Sequence, residues 1–229
     1  MKTRWIQRKG YDRLLIFFNG WGMDERIALY LQANTSGRFQ RDVLLCYDYR
    51  SVDMPAGIPD ILGDYAERTV VAWSLGVWAA SCIALEGIDS ALAINGTLKP
   101  ISTGEGIPPD VFRTTLDSYD EDSRIRFMRR MCGSAAELER FYAIAPQRNA
   151  HDQKAELGAI AGHVAAGRPS AMPEWSFTHA LIGGRDLIFP PQAQEQAWSG
   201  TRRRMVKELP HFPFFAFNDW EKVCSCMED

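Results

Sequence analysis

The strongest constraint on the fold is a series of short runs that are apolar at every position, each leading into a turn or helix. Leu14-Leu15-Ile16-Phe17-Phe18 ends in Asn19-Gly20, and Val43-Leu44-Leu45-Cys46-Tyr47, Thr69-Val70-Val71-Ala72-Trp73 and Ala91-Leu92-Ala93-Ile94-Asn95-Gly96 repeat the pattern. A strand with one wet face alternates apolar and polar residues, whereas a run with no polar face has to be covered on both sides. Stretches of helical length separate these runs, from Asp24 to Gln32 and from Leu75 to Glu86. Strands and helices in alternation predict an α/β chain with a mostly parallel central sheet and flanking helices.

The alternation stops after Gly96. From Thr97 to Trp175 the sequence offers no strand but several helical segments: Ser123 to Met131, which is amphipathic, Ala135 to Ala143 and Asp152 to Ala166. Strand character returns in Phe177 to Ile182, before Gly183-Gly184, and in Met205 to Leu209, before Pro210-His211. The expectation is a core of residues 1–96 and 176–229 interrupted by a helical cap, 97–175, within a chain of 229 residues. A hydrophobic fraction of 46%, 24% charged residues and a formal charge of −3 give no basic excess to suit nucleic acid. No apolar run approaches the roughly 20 residues that cross a bilayer. Met1 to Arg13 carries basic residues without the apolar stretch of a secretory leader. Cys46, Cys82, Cys132, Cys224 and Cys226 are odd in number and lack a framework spacing, which predicts reduced, buried thiols and a cytoplasmic protein.

The chemistry centres on Ala72-Trp73-Ser74-Leu75-Gly76, set between an apolar strand and a helix. A serine on such a tight turn needs small residues two before and two after it, and Ala72 and Gly76 supply them. The Leu75 N–H then begins a helix and points where an oxyanion would form. Asp186, in Gly183-Gly184-Arg185-Asp186, and His211, in Leu209-Pro210-His211-Phe212-Pro213, follow the last two strands in the order nucleophile, acid, histidine. Of the four histidines only His211 lies beyond Asp186; His179 falls inside a strand, and His151 and His163 fall in the cap. Asn19-Gly20-Trp21-Gly22 closes the first apolar strand, and its glycines allow the Trp21 N–H to serve as a second oxyanion donor. Ser74, His211 and Asp186 therefore read as nucleophile, base and orienting acid, with no metal or organic cofactor needed.

Several of these segments, with Cys46-Tyr47-Asp48-Tyr49, Val71-Ala72-Trp73-Ser74-Leu75-Gly76-Val77-Trp78, Ile94-Asn95-Gly96-Thr97 and Gly106-Ile107-Pro108, make the chain resemble the BioG-type esterases. The likeness continues through Phe127 to Gly133, Arg185 to Phe189 and His211 to Phe214, and so runs over nearly the whole chain. The Trp-Ser-Leu-Gly and Gly-Trp-Gly pieces are similar also to BioH-type esterases, which carry His where this chain has Asn19. The resemblance implies the α/β-hydrolase fold. It also implies hydrolysis of the methyl ester of pimeloyl-[acyl-carrier protein] in biotin biosynthesis, with Ser74, Asp186 and His211 as the triad and Trp21 and Leu75 at the oxyanion positions.

Such a substrate needs a dock. Arg124, Arg126, Arg129 and Arg130 crowd one predicted helix, and Arg126 and Arg130, four apart, share a face with Arg129 alongside. An acidic carrier protein with its phosphopantetheine phosphate would suit that face. A solvated helix face balanced by Asp117, Asp120, Glu121 and Asp122 suits the pattern equally. Phe127, Met128 and Met131 are candidates to line an acyl tunnel, against plain packing of the cap. Two rival functions stand beside the esterase: a general carboxylesterase or thioesterase for small or coenzyme-A-linked esters, and a non-catalytic carrier-protein-binding member of the fold.

Overall fold

In the computed structural model, which describes residues 1–169 and 174–228, seven strands form one sheet. They are β1 (Lys2–Gln7), β2 (Arg13–Phe18), β3 (Asp42–Tyr47), β4 (Glu67–Trp73), β5 (Ser90–Ile94), β6 (His179–Arg185) and β7 (Arg202–Pro210). Their order is β1-β3-β2-β4-β5-β6-β7; β1 runs antiparallel to β3, and every other pair is parallel. The central strands are buried along almost their whole length, as uniformly apolar runs require. The two edges differ. β1 is half-exposed, and β7 keeps Arg202, Arg203, Arg204 and Lys207 in water, charges that discourage pairing with another chain.

Helices α1 (Arg26–Asn34), α2 (Ile58–Leu62) and α3 (Leu75–Ser81) connect the first strands. α3 is shorter than the expected run to Glu86: the Cys82 and Ile83 N–H groups turn back to the Ala79 and Ala80 carbonyls and close the helix. Between β5 and β6 lie α4 (Pro109–Asp117), α5 (Glu121–Cys132), α6 (Ala135–Tyr142) and α7 (Ala150–Ala165). Positions 170–173 of the expected insertion lie outside the described residues. α5 has strong local signals. Asp120 accepts the Ser123 N–H while Ser123 Oγ accepts the Asp120 N–H, and Gly133, at φ +76°, ends the helix in the left-handed region. Helices α8 (Pro191–Ala197) and α9 (Trp220–Ser225) flank β7 in sequence.

This is the α/β-hydrolase arrangement: a mostly parallel sheet, helices on its faces, and a helical excursion between β5 and β6. Strands β2 and β4 are neighbours and β6 follows across β5, all running parallel, so the turns after Phe18, Trp73 and Arg185 gather at one edge of the sheet.

Candidate active site

The turn after β4 is unusually tight. Ser74 sits at φ 60°, ψ −131°, a conformation that side-chain-bearing residues rarely adopt and that positions its hydroxyl above the sheet edge. A Cβ at Gly76 would strike the Phe18 and Asn19 carbonyls, and one at Gly96 would strike the Ser74 carbonyl. Only glycine lets α3 and the β5 turn approach this closely.

His211 Nε2 lies 2.9 Å from Ser74 Oγ, and His211 Nδ1 lies 2.8 Å from Asp186 Oδ2. All three residues are buried. Asp186 Oδ1 accepts the Ile188 and Phe189 N–H groups at 2.8 and 2.9 Å, and Gln194 Nε2 donates to Oδ2 at 3.0 Å. The His211 carbonyl accepts from Trp73 Nε1 and Asn95 Nδ2, so the imidazole hangs from a backbone fixed at both sides. Phe189 stacks nearly parallel to its ring. The residues expected to form a Ser-His-Asp relay are thus within hydrogen-bond distance of one another.

Trp21 and Leu75 both line the cavity that opens on Ser74. In the loop after β2, the Asn19, Gly20, Gly22 and Met23 N–H groups all reach protein acceptors. The Trp21 and Leu75 N–H groups have no such acceptor among the described residues. Unclaimed N–H groups beside a serine hydroxyl are one requirement of an oxyanion hole. The Trp21 indole packs between Tyr119 and Phe127 and donates to the Gln153 carbonyl at 2.7 Å.

The cavity is mostly apolar. Phe112, Phe127 and Leu157 form walls, and the more exposed Val111 and Leu187 stand at its rim with Arg130. Of the three acyl-binding candidates only Phe127 lines it. Met128 and Met131 are a correction: they turn into the core, with the Met131 carbonyl accepting the Phe212 N–H at 2.9 Å, because the cavity takes only one face of α5. Arg124 is a second correction. It is largely covered, pairs with Glu121 at 3.0 Å and donates to the Pro146 carbonyl, so it fastens α5 to the loop before α7. Arg126, Arg129 and Arg130 line one groove between α4 and α5, and that groove shares Val111, Thr115, Phe127 and Arg130 with the cavity. Two of the acids expected to balance them are engaged elsewhere: Asp120 caps α5, and Glu121 holds Arg124 and the Ala150 N–H.

Among the described residues no group of His, Cys, Asp and Glu is arranged to hold a metal ion, and no helix is long and apolar enough to cross a membrane. Among the described residues the five cysteines form no disulfide, and burial pushes the Cys82 and Cys132 thiols up to about 12. The pattern-based reading missed Gln194, Asn95, Gln153 and Glu156. Asn95 ends an apolar run in Asn-Gly, which is a visible signal; the other three are polar residues on helices and carry none.

A family model described as "Pimeloyl-ACP methyl esterase BioG" matches residues 1–223. The crystal structure of BioG from Haemophilus influenzae superposes with a TM-score of 0.85 at 30% identity, over 96% of this chain and 98% of that one. An enol-lactonase from Burkholderia xenovorans superposes with a TM-score of 0.62 at 18% identity over 100% of this chain and 96% of that one, a likeness of fold alone. A protein of Bacteroides fragilis named malonyl-[acyl-carrier protein] O-methyltransferase is 43% identical over 188 residues; the match takes in 80% of this chain and 36% of that protein, so the chain spans about a third of it. That name corrects the expected reaction. An O-methyltransferase makes a methyl ester on a carrier-bound acid, the opposite of hydrolysing one, and the assignment to pimeloyl-[acyl-carrier protein] methyl ester hydrolysis is withdrawn.

Proposed function

Because this chain belongs to the BioG family, whose relatives are enzymes on the α/β-hydrolase fold, we propose that it is a carboxylic ester hydrolase of the Ser-His-Asp type. The observation that carries this reading is the continuous hydrogen-bonded line Ser74–His211–Asp186 beneath two unclaimed N–H groups. In the proposed reaction Ser74 Oγ attacks the ester carbonyl carbon as His211 Nε2 takes its proton. The carbonyl oxygen becomes an oxyanion held by the Trp21 and Leu75 N–H groups, each such donor being typically worth about 3 kcal/mol. The tetrahedral intermediate then collapses: the carbonyl re-forms, the bond to the alkoxy oxygen breaks, and that oxygen takes the imidazolium proton and leaves as the alcohol, with the acyl group on Ser74 Oγ. Water attacks that acyl group, with His211 again as base, and releases the acid and the serine hydroxyl. Asp186, held by two backbone N–H groups and Gln194, keeps the imidazole in the tautomer that presents Nε2 as acceptor.

The helical segment between β5 and β6 acts in this reading as a cap over Ser74, with Phe127 and Phe112 confining an acyl chain. The partner is an acyl-carrier protein, which the family's description and the name of the Bacteroides fragilis relative both mention, docked on the groove of Arg126, Arg129 and Arg130. The test is turnover of p-nitrophenyl butyrate by purified protein and three variants. Ser74→Ala and His211→Ala should each lose about 10³-fold or more in kcat without loss of fold, and not additively when combined. Asp186→Asn should also be severely impaired. Near-native turnover by folded Ser74→Ala would end the proposal.

A further inference from the structure

We infer that Gln153 and Glu156 of α7 are positioning residues for the oxyanion site, holding the loop of residues 19–22 so that the Trp21 N–H is kept for the substrate oxygen. The inference rests on the proposed reading of Ser74 as nucleophile and assigns part of its machinery to the helical segment.

The buried face of α7 is the starting point. Leu157 and Ile160 belong there, but Gln153 is only 2% exposed and Glu156 is fully buried. An amide and a carboxylate in the interior are costly unless every polar atom is met. Here they are met largely by one loop. Glu156 Oε2 accepts the Gly22 N–H at 3.1 Å, and Oε1 accepts the Tyr49 N–H at 2.9 Å. Gln153 Nε2 donates to the Gly22 carbonyl at 2.8 Å, and Oε1 accepts from the Tyr119 hydroxyl. The Gln153 main-chain carbonyl takes the Trp21 indole N–H. The circuit closes through Tyr49, whose hydroxyl donates to the Asn19 carbonyl at 2.6 Å.

Residue 22 is therefore gripped at both its N–H and its carbonyl by two side chains one turn apart on α7, and Asn19 is gripped from the other end. Gly22 sits at φ +74°, and a Cβ there would come within 3.1 Å of the Gln153 side chain, so the fit leaves no slack. Trp21 lies between these anchored points with its own N–H free of protein acceptors. Arg148 supplies the countercharge, 2.5 Å from Glu156 Oε2, which lets a carboxylate rather than an amide occupy the interior. A carboxylate is the choice that offers two acceptor oxygens at once, one to each N–H.

The test compares Gln153→Met and Glu156→Gln with the parent enzyme. Gln153→Met keeps the length of the side chain and the main-chain bond to the Trp21 indole, and removes only the hold on the Gly22 carbonyl and Tyr119. Glu156→Gln keeps one acceptor and loses the other. Three quantities are read on protein shown by thermal melting to be folded: kcat and KM for p-nitrophenyl butyrate, and the inhibition constant of a trifluoromethyl ketone, whose adduct places an oxyanion in the site. A donor displaced by a fraction of an ångström costs the transition state and not the ground state. The expected result is a fall in kcat of roughly 10-fold for Gln153→Met and up to about 100-fold for Glu156→Gln, with KM changed less than about 2-fold. Ketone affinity should fall by the same factor as kcat/KM. If Glu156→Gln does not fold, Gln153→Met decides. Folded variants with kcat and ketone affinity within about 2-fold of the parent would overturn this inference while leaving Ser74 as nucleophile. A parent enzyme that neither turns over the ester nor binds the ketone would overturn the underlying reading, and this inference with it.

Discussion

Among the buried carboxylates, Asp186 and Asp48 are satisfied in different ways, and the difference separates site from scaffold. Asp186 takes two main-chain N–H groups, Gln194 and the imidazole, with no Lys or Arg bonded to it among the described residues. Asp48 is held by cations: Lys2 at 2.9 Å, Arg50 through two hydrogen bonds, and Arg148 at 3.9 Å. Burial alone would raise the Asp48 carboxyl, but the bonds from Arg50 and Lys2 and the charge of Arg148 outweigh it and hold it well below the usual carboxylate range. A folded-state value below the unfolded one adds stability that is complete above the unfolded pKa, near ~3.9, and is lost as the pH falls through the folded value. Asp48→Asn should therefore lower Tm at pH 6 to 7, and the gap to the parent should hold down to about pH 4.5 and narrow below it towards pH 3, as measured by melting curves at matched ionic strength. A gap independent of pH would mean the carboxylate contributes shape and not charge. At this scale the convergence of Ser74, Asp186 and His211 was legible because a strand-turn-helix setting and a fixed chain order leave few alternatives. Gln194 and Glu156 were not, since their roles depend on residues 8 and 134 positions away that no local pattern connects.

The elements divide the same way. β2, β3, β4 and β5 announce themselves, because a strand covered on both faces has no polar positions. β1 was overlooked because Lys2–Gln7 is an edge strand whose half-exposed positions carry Lys, Thr, Arg and Gln without an apolar run. α4 was overlooked too: Pro109 marks its start, but Thr114 and Thr115 weaken its helical character, and only Phe112 is buried. α5 was recognised, yet its faces were assigned too generously. Arg124 proved to be a fastening and Met128 and Met131 core, leaving Arg126, Arg129 and Arg130 on the groove. Arg129 and Arg130 also lie in the last turn, where positive charge complements the helix dipole, so position alone does not prove a dock. A double reversal, Arg126→Glu with Arg130→Glu, separates the two roles. Under the carrier-protein proposal, kcat/KM for a carrier-linked ester should fall roughly 10-fold or more and lose its salt dependence, while p-nitrophenyl butyrate hydrolysis changes little. Equal losses on both substrates would make these arginines structural.

Across the whole molecule, the sheet edge and the helical segment form one assembly and not a core with a loose lid. Trp21 packs against Tyr119 of the α4–α5 turn and Phe127 of α5, and α7 grips Gly22 and Tyr49. Asp48 and Arg148 join the N-terminal strand to the same cluster. Segments distant in sequence therefore converge on one buried hydroxyl, and the account depends on that hydroxyl being a nucleophile. The most direct measurement is intact-protein and peptide mass analysis after incubation with a fluorophosphonate. The account predicts a single phosphonyl adduct, mapped to Ser74, absent from Ser74→Ala and formed far more slowly in His211→Ala. An adduct on another residue, or a folded protein left unmodified, would contradict it.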